Sequence, residues 1–266
     1  MPPRLVLLLA VLLCSLAGCT SMPDDDPDPA HGHFVHRQLE VEGRVFRYEV
    51  FVPAASMPRP WPVVLFLHGS GERGDDGHDQ TTSGLGPYLR RHADSFPALV
   101  VFPQAPDDEA WTHHNARMAM ATLDAASQEF AADPKRTYLT GMSMGGYGTW
   151  EIALRHPHRF AALVPICGAL TSPDDDDEPI FVSAVSDERD PYGALVARLK
   201  HVPTWMFHGA RDDVVKPDDD RLIYEAADKA GARIRYTEYP NGNHNVWDAT
   251  YASPAMWEWM FNQHLP

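Results

Sequence analysis

The sequence predicts an α/β domain in which a mostly parallel sheet is covered by helices on both faces. Short, nearly continuous apolar runs recur along the chain, and the segments between them carry helical periodicity. Strands that apolar are buried on both sides, so helices have to pack on each face of the sheet they form. The chain has 266 residues, 44% of them hydrophobic. That length fits one substantial core and is short for two ordinary domains.

The elements follow in order. "RQLEVEGRVFRYEVFVP" alternates apolar and polar residues around Glu42-Gly43, as a hairpin with one half-buried face does. The apolar runs "PVVLFLHG" (62 to 69), "ALVVFPQ" (98 to 104), "TYLTG" (137 to 141), "FAALVPICG" (160 to 168), "TWMFHG" (204 to 209) and "IRYTEYP" (234 to 240) are the expected parallel strands. Residues 115 to 132, 221 to 231 and 253 to 264 read as three of the covering helices, the second stopped by Gly231 and the third started by Ser253-Pro254. No internal repeat is evident.

The N-terminus has a different character. "MPPRLVLLLAVLLCSLAGCTSM" holds one Arg, an apolar run from Leu5 to Leu13 and then small residues before Cys19. The run is far shorter than the roughly 20 residues of a membrane-spanning helix, so it reads as an export signal. "LAGC" (Leu16 to Cys19) resembles the lipobox of bacterial lipoproteins, which implies cleavage before Cys19 and lipidation of its thiol. The expected organisation is a signal peptide over 1–18, a flexible acidic tether over 19–33 rich in Pro and Asp, and a catalytic domain over 34–266. Thr20 and Ser21 after the Cys, by the same resemblance, imply outer-membrane delivery in a Gram-negative cell. Cys14 falls in the signal, which leaves Cys167 without a partner for a disulfide. The formal net charge of -15 and the lack of a basic cluster argue against nucleic acid as a partner. His31, His33 and His36 in "HGHFVH" offer imidazoles, but no ordered ligand spacing accompanies them, and no metal is assigned.

The chemistry centres on "TYLTGMSMGGYGTW" (137 to 150). Ser143 stands where a strand turns into a helix, with Gly141 and Gly145 on either side, the glycines being needed where a side chain would collide with the neighbouring elements. A structural turn with a small residue is the plainer reading of such a match. A serine nucleophile needs a base, an acid to orient the base and donors for an oxyanion. "HGSGERG" (68 to 74) ends an upstream strand and offers the backbone N–H of Ser70, while the N–H of Met144 follows the serine and opens a helix. "HGARDDVV" (208 to 215) puts Asp212 and Asp213 past one strand end, and "NGNHNVWD" (241 to 248) puts His244 past the next. The order Ser, Asp, His is that of the strand, turn and helix nucleophile architecture.

On "LHGSGERG", "PQAPDDEAW", "YLTGMSMGGYGTWEIALRHPHRFAALVPICG", "FHGARDDVV" and "YTEYPNGNHNVWDATY", the chain resembles the α/β-hydrolase superfamily. Within it the chain resembles the bacterial branch described as predicted peptidase, phospholipase/carboxylesterase or dienelactone-hydrolase-like, related to feruloyl esterases and polyhydroxybutyrate depolymerases. The resemblance implies an α/β-hydrolase fold and a Ser143, Asp212, His244 triad, with the acid three residues after the glycine of "HG". It also implies that Trp111, His113 and Trp247 line the substrate cleft. Residues 170–201 depart from the pattern, being longer than a simple connection and holding eight acidic residues between 171 and 190, which reads as a solvated loop or a partial lid.

The expected function is therefore that of a serine hydrolase cleaving carboxylic esters, either small acyl esters or acylated polysaccharide or polyester. It needs no cofactor, and a lipid anchor would hold it in the cell envelope. A serine peptidase acting on amides is the alternative. A binding lipoprotein on a retained scaffold is a second one, against which the intact Ser, Asp and His speak.

Overall fold

The computed structural model describes residues 28–172 and 180–266. The expected export signal, Cys19 and the acidic run within 173–179 lie outside them. The described chain forms one eight-stranded sheet: β1 (His33–Val41), β2 (Arg44–Val52), β3 (Val63–Leu67), β4 (Leu99–Pro103), β5 (Thr137–Met142), β6 (Ala162–Ile166), β7 (Thr204–Gly209) and β8 (Ile234–Tyr239). Their spatial order is β1-β2-β4-β3-β5-β6-β7-β8. β1 and β2 pair antiparallel, β2 runs antiparallel to β4, and all other neighbours are parallel.

The hairpin turns at Glu42 and Gly43, which have φ of 52° and 81° and leave Val41 opposite Arg44. Two consecutive positive φ values match the twist of the flanking strands. The Glu42 carboxylate reaches Arg117 and His114, tying the hairpin tip to the helix that carries them.

Strand residues alternate between two cores because successive side chains point to opposite faces. On β3, Val63, Leu65 and Leu67 enter one core and Val64 and Phe66 the other. The first core is covered by α2 (His113–Glu129), α3 (Met144–Arg155), α4 (Pro191–Leu199) and α5 (Asp218–Ala230). The second is covered by α1 (Leu85–Arg91), α6 (Trp247–Tyr251) and α7 (Pro254–Phe261).

The stretch over 170–201 is more structural than its composition suggests. Val182, Val185, Leu195, Val196 and Leu199 are core residues, and α4 begins at an Asp190 cap that accepts from the Gly193 N–H at 2.9 Å. Buried carboxylates pin both ends of the segment. Asp219 accepts from the Leu170 and Thr171 amides, and Glu151 accepts from the Ala184 amide and the Ser183 hydroxyl. The described part after residue 180 thus packs against the body of the domain. Among the described residues, no helix is long and apolar enough to cross a membrane.

Candidate active site

The parallel strands β5, β7 and β8 all end at one edge of the sheet, and the loops leaving them carry Ser143, Asp212 and His244. Open α/β sheets build their sites at that edge. Ser143 has φ 54° and ψ -122°, a strained backbone for a residue with a side chain. The turn closes only because its neighbours are glycines. A Cβ on Gly141 would collide with the Gly145 carbonyl, and one on Gly145 with the Leu67 carbonyl. The Ser143 amide donates to Ile166 O at 2.9 Å and its carbonyl accepts from Gly146 and Tyr147, so the serine is clamped between β6 and the first turn of α3.

Ser143 Oγ lies 2.9 Å from His244 Nε2, and His244 Nδ1 lies 2.7 Å from Asp212 Oδ2. The other carboxylate oxygen of Asp212 accepts from the Val214 and Val215 amides at 3.0 and 2.9 Å. Asp213 is exposed. Burial alone would raise the Asp212 pKa. The hydrogen bonds from His208 and His244, with the Val215 amide, outweigh it and hold the carboxyl well below the usual carboxylate range. The Cys167 thiol donates to the His244 carbonyl at 3.1 Å, and burial pushes its pKa up. That thiol is a packing residue which also steadies the histidine backbone.

The loop after β3 presses on the serine. Gly69 sits so close that a Cβ there would be 3.6 Å from Ser143 Cβ. Neither the Ser70 nor the Met144 N–H has an acceptor among the described residues. The loop is braced from behind by His68, which is fully buried. His68 Nε2 accepts from the Ala105 amide at 3.0 Å, so Nδ1 carries the hydrogen donated to Gly69 O at 2.6 Å. Gln104 accepts from the Gly77 amide and donates to Asp76 and to the Glu72 carbonyl. Burial raises the Glu72 carboxyl, while hydrogen bonds from Ser83 and from the amides of Gly69 and Glu72 pull it back.

The three residues assigned to the cleft by resemblance have different places. Trp247 stands edge-on to His244, ring centroids 5.3 Å apart. His113 is exposed at the start of α2, with φ 40°. Trp111 corrects the expectation: only 1% exposed, it donates its indole N–H to His68 O at 3.0 Å and packs against the His68 ring. A buried indole requires a hydrogen-bond acceptor, and here that need fixes Trp111 beneath the loop, out of reach of a substrate. Reading by sequence passed over His208 and Asp220, which stand directly behind Asp212; the "HG" before the acid and the "DDD" opening α5 were the available signals.

Among the described residues, Cys167, His208 and Asp212 have potential metal-ligating atoms within 4.8 Å of one another. All three are engaged with protein partners: the thiol with His244 O, the imidazole with Asp220 and Val215 O, and the carboxylate with His244 and two amides. The imidazoles of "HGHFVH" do not converge. His31 pairs with Asp94, His33 turns back to His31 O, and His36 approaches Glu49.

A cavity of about 180 Å³ is lined by Tyr147, Ala169, Thr171, Val214 and Val215 among others, with Ser143, Asp212 and His244 outside its lining. Its walls touch the triad directly, since the valine amides bond Asp212 and the Tyr147 amide bonds the Ser143 carbonyl.

The family model for the prolyl oligopeptidase family matches residues 108–263, which span α2 to α7 and include Ser143, Asp212 and His244. The chain belongs to the prolyl oligopeptidase family. The chain is similar to a poly(3-hydroxyoctanoate) depolymerase of Pseudomonas fluorescens. Identity is 28% over 227 residues, covering 77% of this chain and 74% of that one. It is also similar to the bifunctional acetylxylan esterase/xylanase XynS20E of Neocallimastix patriciarum, at 26% identity over 62% of this chain but only 21% of that protein. Among solved structures, a thermostable esterase superposes with a TM-score of 0.69 at 28% identity, covering 87% of this chain and 63% of that one. The sheet with its antiparallel N-terminal pair and the order of the site loops agree with this fold.

Proposed function

We propose that the protein is a serine hydrolase of the carboxylesterase type, working through an acyl-enzyme on Ser143. The observation that carries this reading is the continuous chain from Ser143 Oγ through His244 to Asp212, set on a strained turn beside two unengaged backbone N–H groups. His244 Nε2 takes the hydroxyl proton as Oγ attacks the carbonyl carbon. The N–H groups of Ser70 and Met144 receive the developing oxyanion, the second helped by the N-terminal end of α3. His244 then gives the proton to the departing alcohol, and water repeats the cycle on the acyl-enzyme. Asp212 holds Nδ1 protonated throughout, so Nε2 is free to act as base.

Relatives named for ester-bearing polymers support an acyl ester, acylated polysaccharide or polyester as substrate, with the cavity beside Val214 and Val215 taking one side of it. The family's name keeps amides in view as a second substrate class. A panel of p-nitrophenyl esters assayed beside peptide anilides tests the choice. Turnover of the esters with anilides inert is the expected result; anilides cleaved at comparable kcat/KM would make the enzyme a peptidase.

The "LAGC" motif supports export and anchoring through a lipidated Cys19. Mature protein from a bacterial host should then partition into detergent, and Cys19→Ser should release it or stall maturation. An unmodified N-terminus downstream of Cys19 by mass spectrometry would refute the anchor.

A further inference from the structure

The reaction sequence above has no task for His208 or Asp220, yet both are buried at its centre. His208 ends β7 and is 0% exposed, and Asp220, in the first turn of α5, is 1% exposed. His208 Nε2 lies 2.8 Å from the Val215 carbonyl and 3.2 Å from Asp212 Oδ2, and its Nδ1 lies 2.8 Å from Asp220 Oδ2. A carbonyl oxygen only accepts, so Nε2 carries a hydrogen. Nδ1 and Asp220 Oδ2 must also hold a hydrogen between them, because two bare lone pairs at that distance would repel. Whichever of the two atoms keeps it, His208 and Asp220 together are neutral, and the single negative charge of the cluster stays on Asp212.

Asp212 is thereby surrounded. Oδ1 accepts the Val214 and Val215 amides and Oδ2 accepts from His244 Nδ1, while the one hydrogen on His208 Nε2 goes to the Val215 carbonyl and so holds the loop that supplies those amides.

We propose that His208, fixed by Asp220, is a positioning residue for the reaction: its Nε2–H holds the Val215 carbonyl, and with it the loop whose Val214 and Val215 amides keep the Asp212 carboxylate turned toward His244 Nδ1. This rests on reading Asp212 as the triad acid. The fold supplies the pieces separately. β7 delivers His208 and the loop with Asp212, while α5 returns to place Asp220 beneath them. The neighbouring Asp219 goes to a different task, accepting from the Leu170 and Thr171 amides and the Tyr192 hydroxyl.

The test uses the geometry of the side-chain amides. A glutamine amide reaches the place of Nε2, whereas an asparagine amide reaches only the place of Nδ1. In an Asp220→Asn background, which strands no buried carboxylate, His208→Asn should lower kcat by about 10- to 100-fold with KM within about twofold, because losing the bond to the Val215 carbonyl loosens the loop that orients Asp212. His208→Gln should recover most of that loss. In an Asp212→Asn background the difference between the two substitutions should vanish, because the effect passes through the Asp212 carboxylate. Equal kcat for the two substitutions with only the melting temperature lowered would overturn the proposal, as would an Asn-against-Gln difference that persists without Asp212. Failure of the triad reading itself would look different: Asp212→Asn alone would leave kcat near that of the unsubstituted enzyme.

Discussion

Helices α3 and α5 each follow a parallel strand of the sheet, α3 directly after β5 and α5 after a loop over 210–217, and their first turns are put to opposite uses. The first turn of α3 contains no acid: it opens with Met144 and two glycines, packs backbone against backbone, and leaves the Met144 N–H for an incoming group. The first turn of α5 is Asp218, Asp219 and Asp220, and two of these carboxylates are buried. They turn away from solvent to hold the 170–171 segment and His208. A helix N-terminus attracts negative charge in either case. In α5 the protein's own carboxylates meet that demand and become fixed struts. In α3 the place is kept for a charge that exists only during the reaction.

The sharpest way to break this contrast is to remove what α3 presents. Ser143→Ala should leave the fold intact and lower kcat by several orders of magnitude, with a residual acceleration of about 10³ to 10⁴ over water from the oxyanion donors and binding. Steady-state kinetics with a p-nitrophenyl ester reads the difference.

The next largest effect separates two adjacent acids. Asp212→Asn should cost about 10⁴ in kcat by stabilising the wrong histidine tautomer, whereas Asp213→Asn, at an exposed position, should cost less than about tenfold. Kinetics of the folded variants gives the ranking, and the reverse order would move the acid to Asp213.

The backbone contacts of α3 can be tested without touching its chemistry. Gly145→Ala drives a methyl into the Leu67 carbonyl. Because two backbones meet there, neither can yield by a rotamer change, and the expected loss of stability is about 3 kcal/mol or more. On the α5 side, Asp219→Ala strands two amides and should cost about 2 kcal/mol in chemical denaturation.

Acid pH gives a graded effect on the loop facing α3. Burial lowers the His68 pKa from 6.5 to about 4, helped by the Arg73 charge, with the Gly69 hydrogen bond opposing. A group depressed in the folded state contributes stability that is present above pH 6.5 and is lost as pH falls toward 4. The window corresponds to about 3 kcal/mol. Melting temperature followed from pH 7 to pH 4.5 should fall more steeply than in His68→Gln, which has no proton to gain.

The sequence made the fold legible where a pattern had one physical meaning. The alternation around Glu42-Gly43 and the apolar parallel strands were of this kind, and so was the glycine-flanked Ser143. Three features were hidden because composition pointed the wrong way. The acidic run after residue 170 masked the core residues Val182, Val185 and Leu195. A tryptophan beside a motif looked like cleft lining, and nothing in the chain announced that the Trp111 N–H would be spent on His68 O. The helix expected from residue 221 in fact begins at Asp218, so the pairing of Asp220 with His208, twelve residues earlier in the chain, emerged only in three dimensions.

Whether Ser143 is an activated nucleophile is decided most directly by a fluorophosphonate probe, which forms a covalent bond only with a serine whose proton is being removed. Intact mass followed by peptide mapping should show one adduct per chain, located on Ser143, and its rate of formation should drop sharply in Asp212→Asn. An adduct on another residue, or a folded protein that remains unlabelled, would contradict the account.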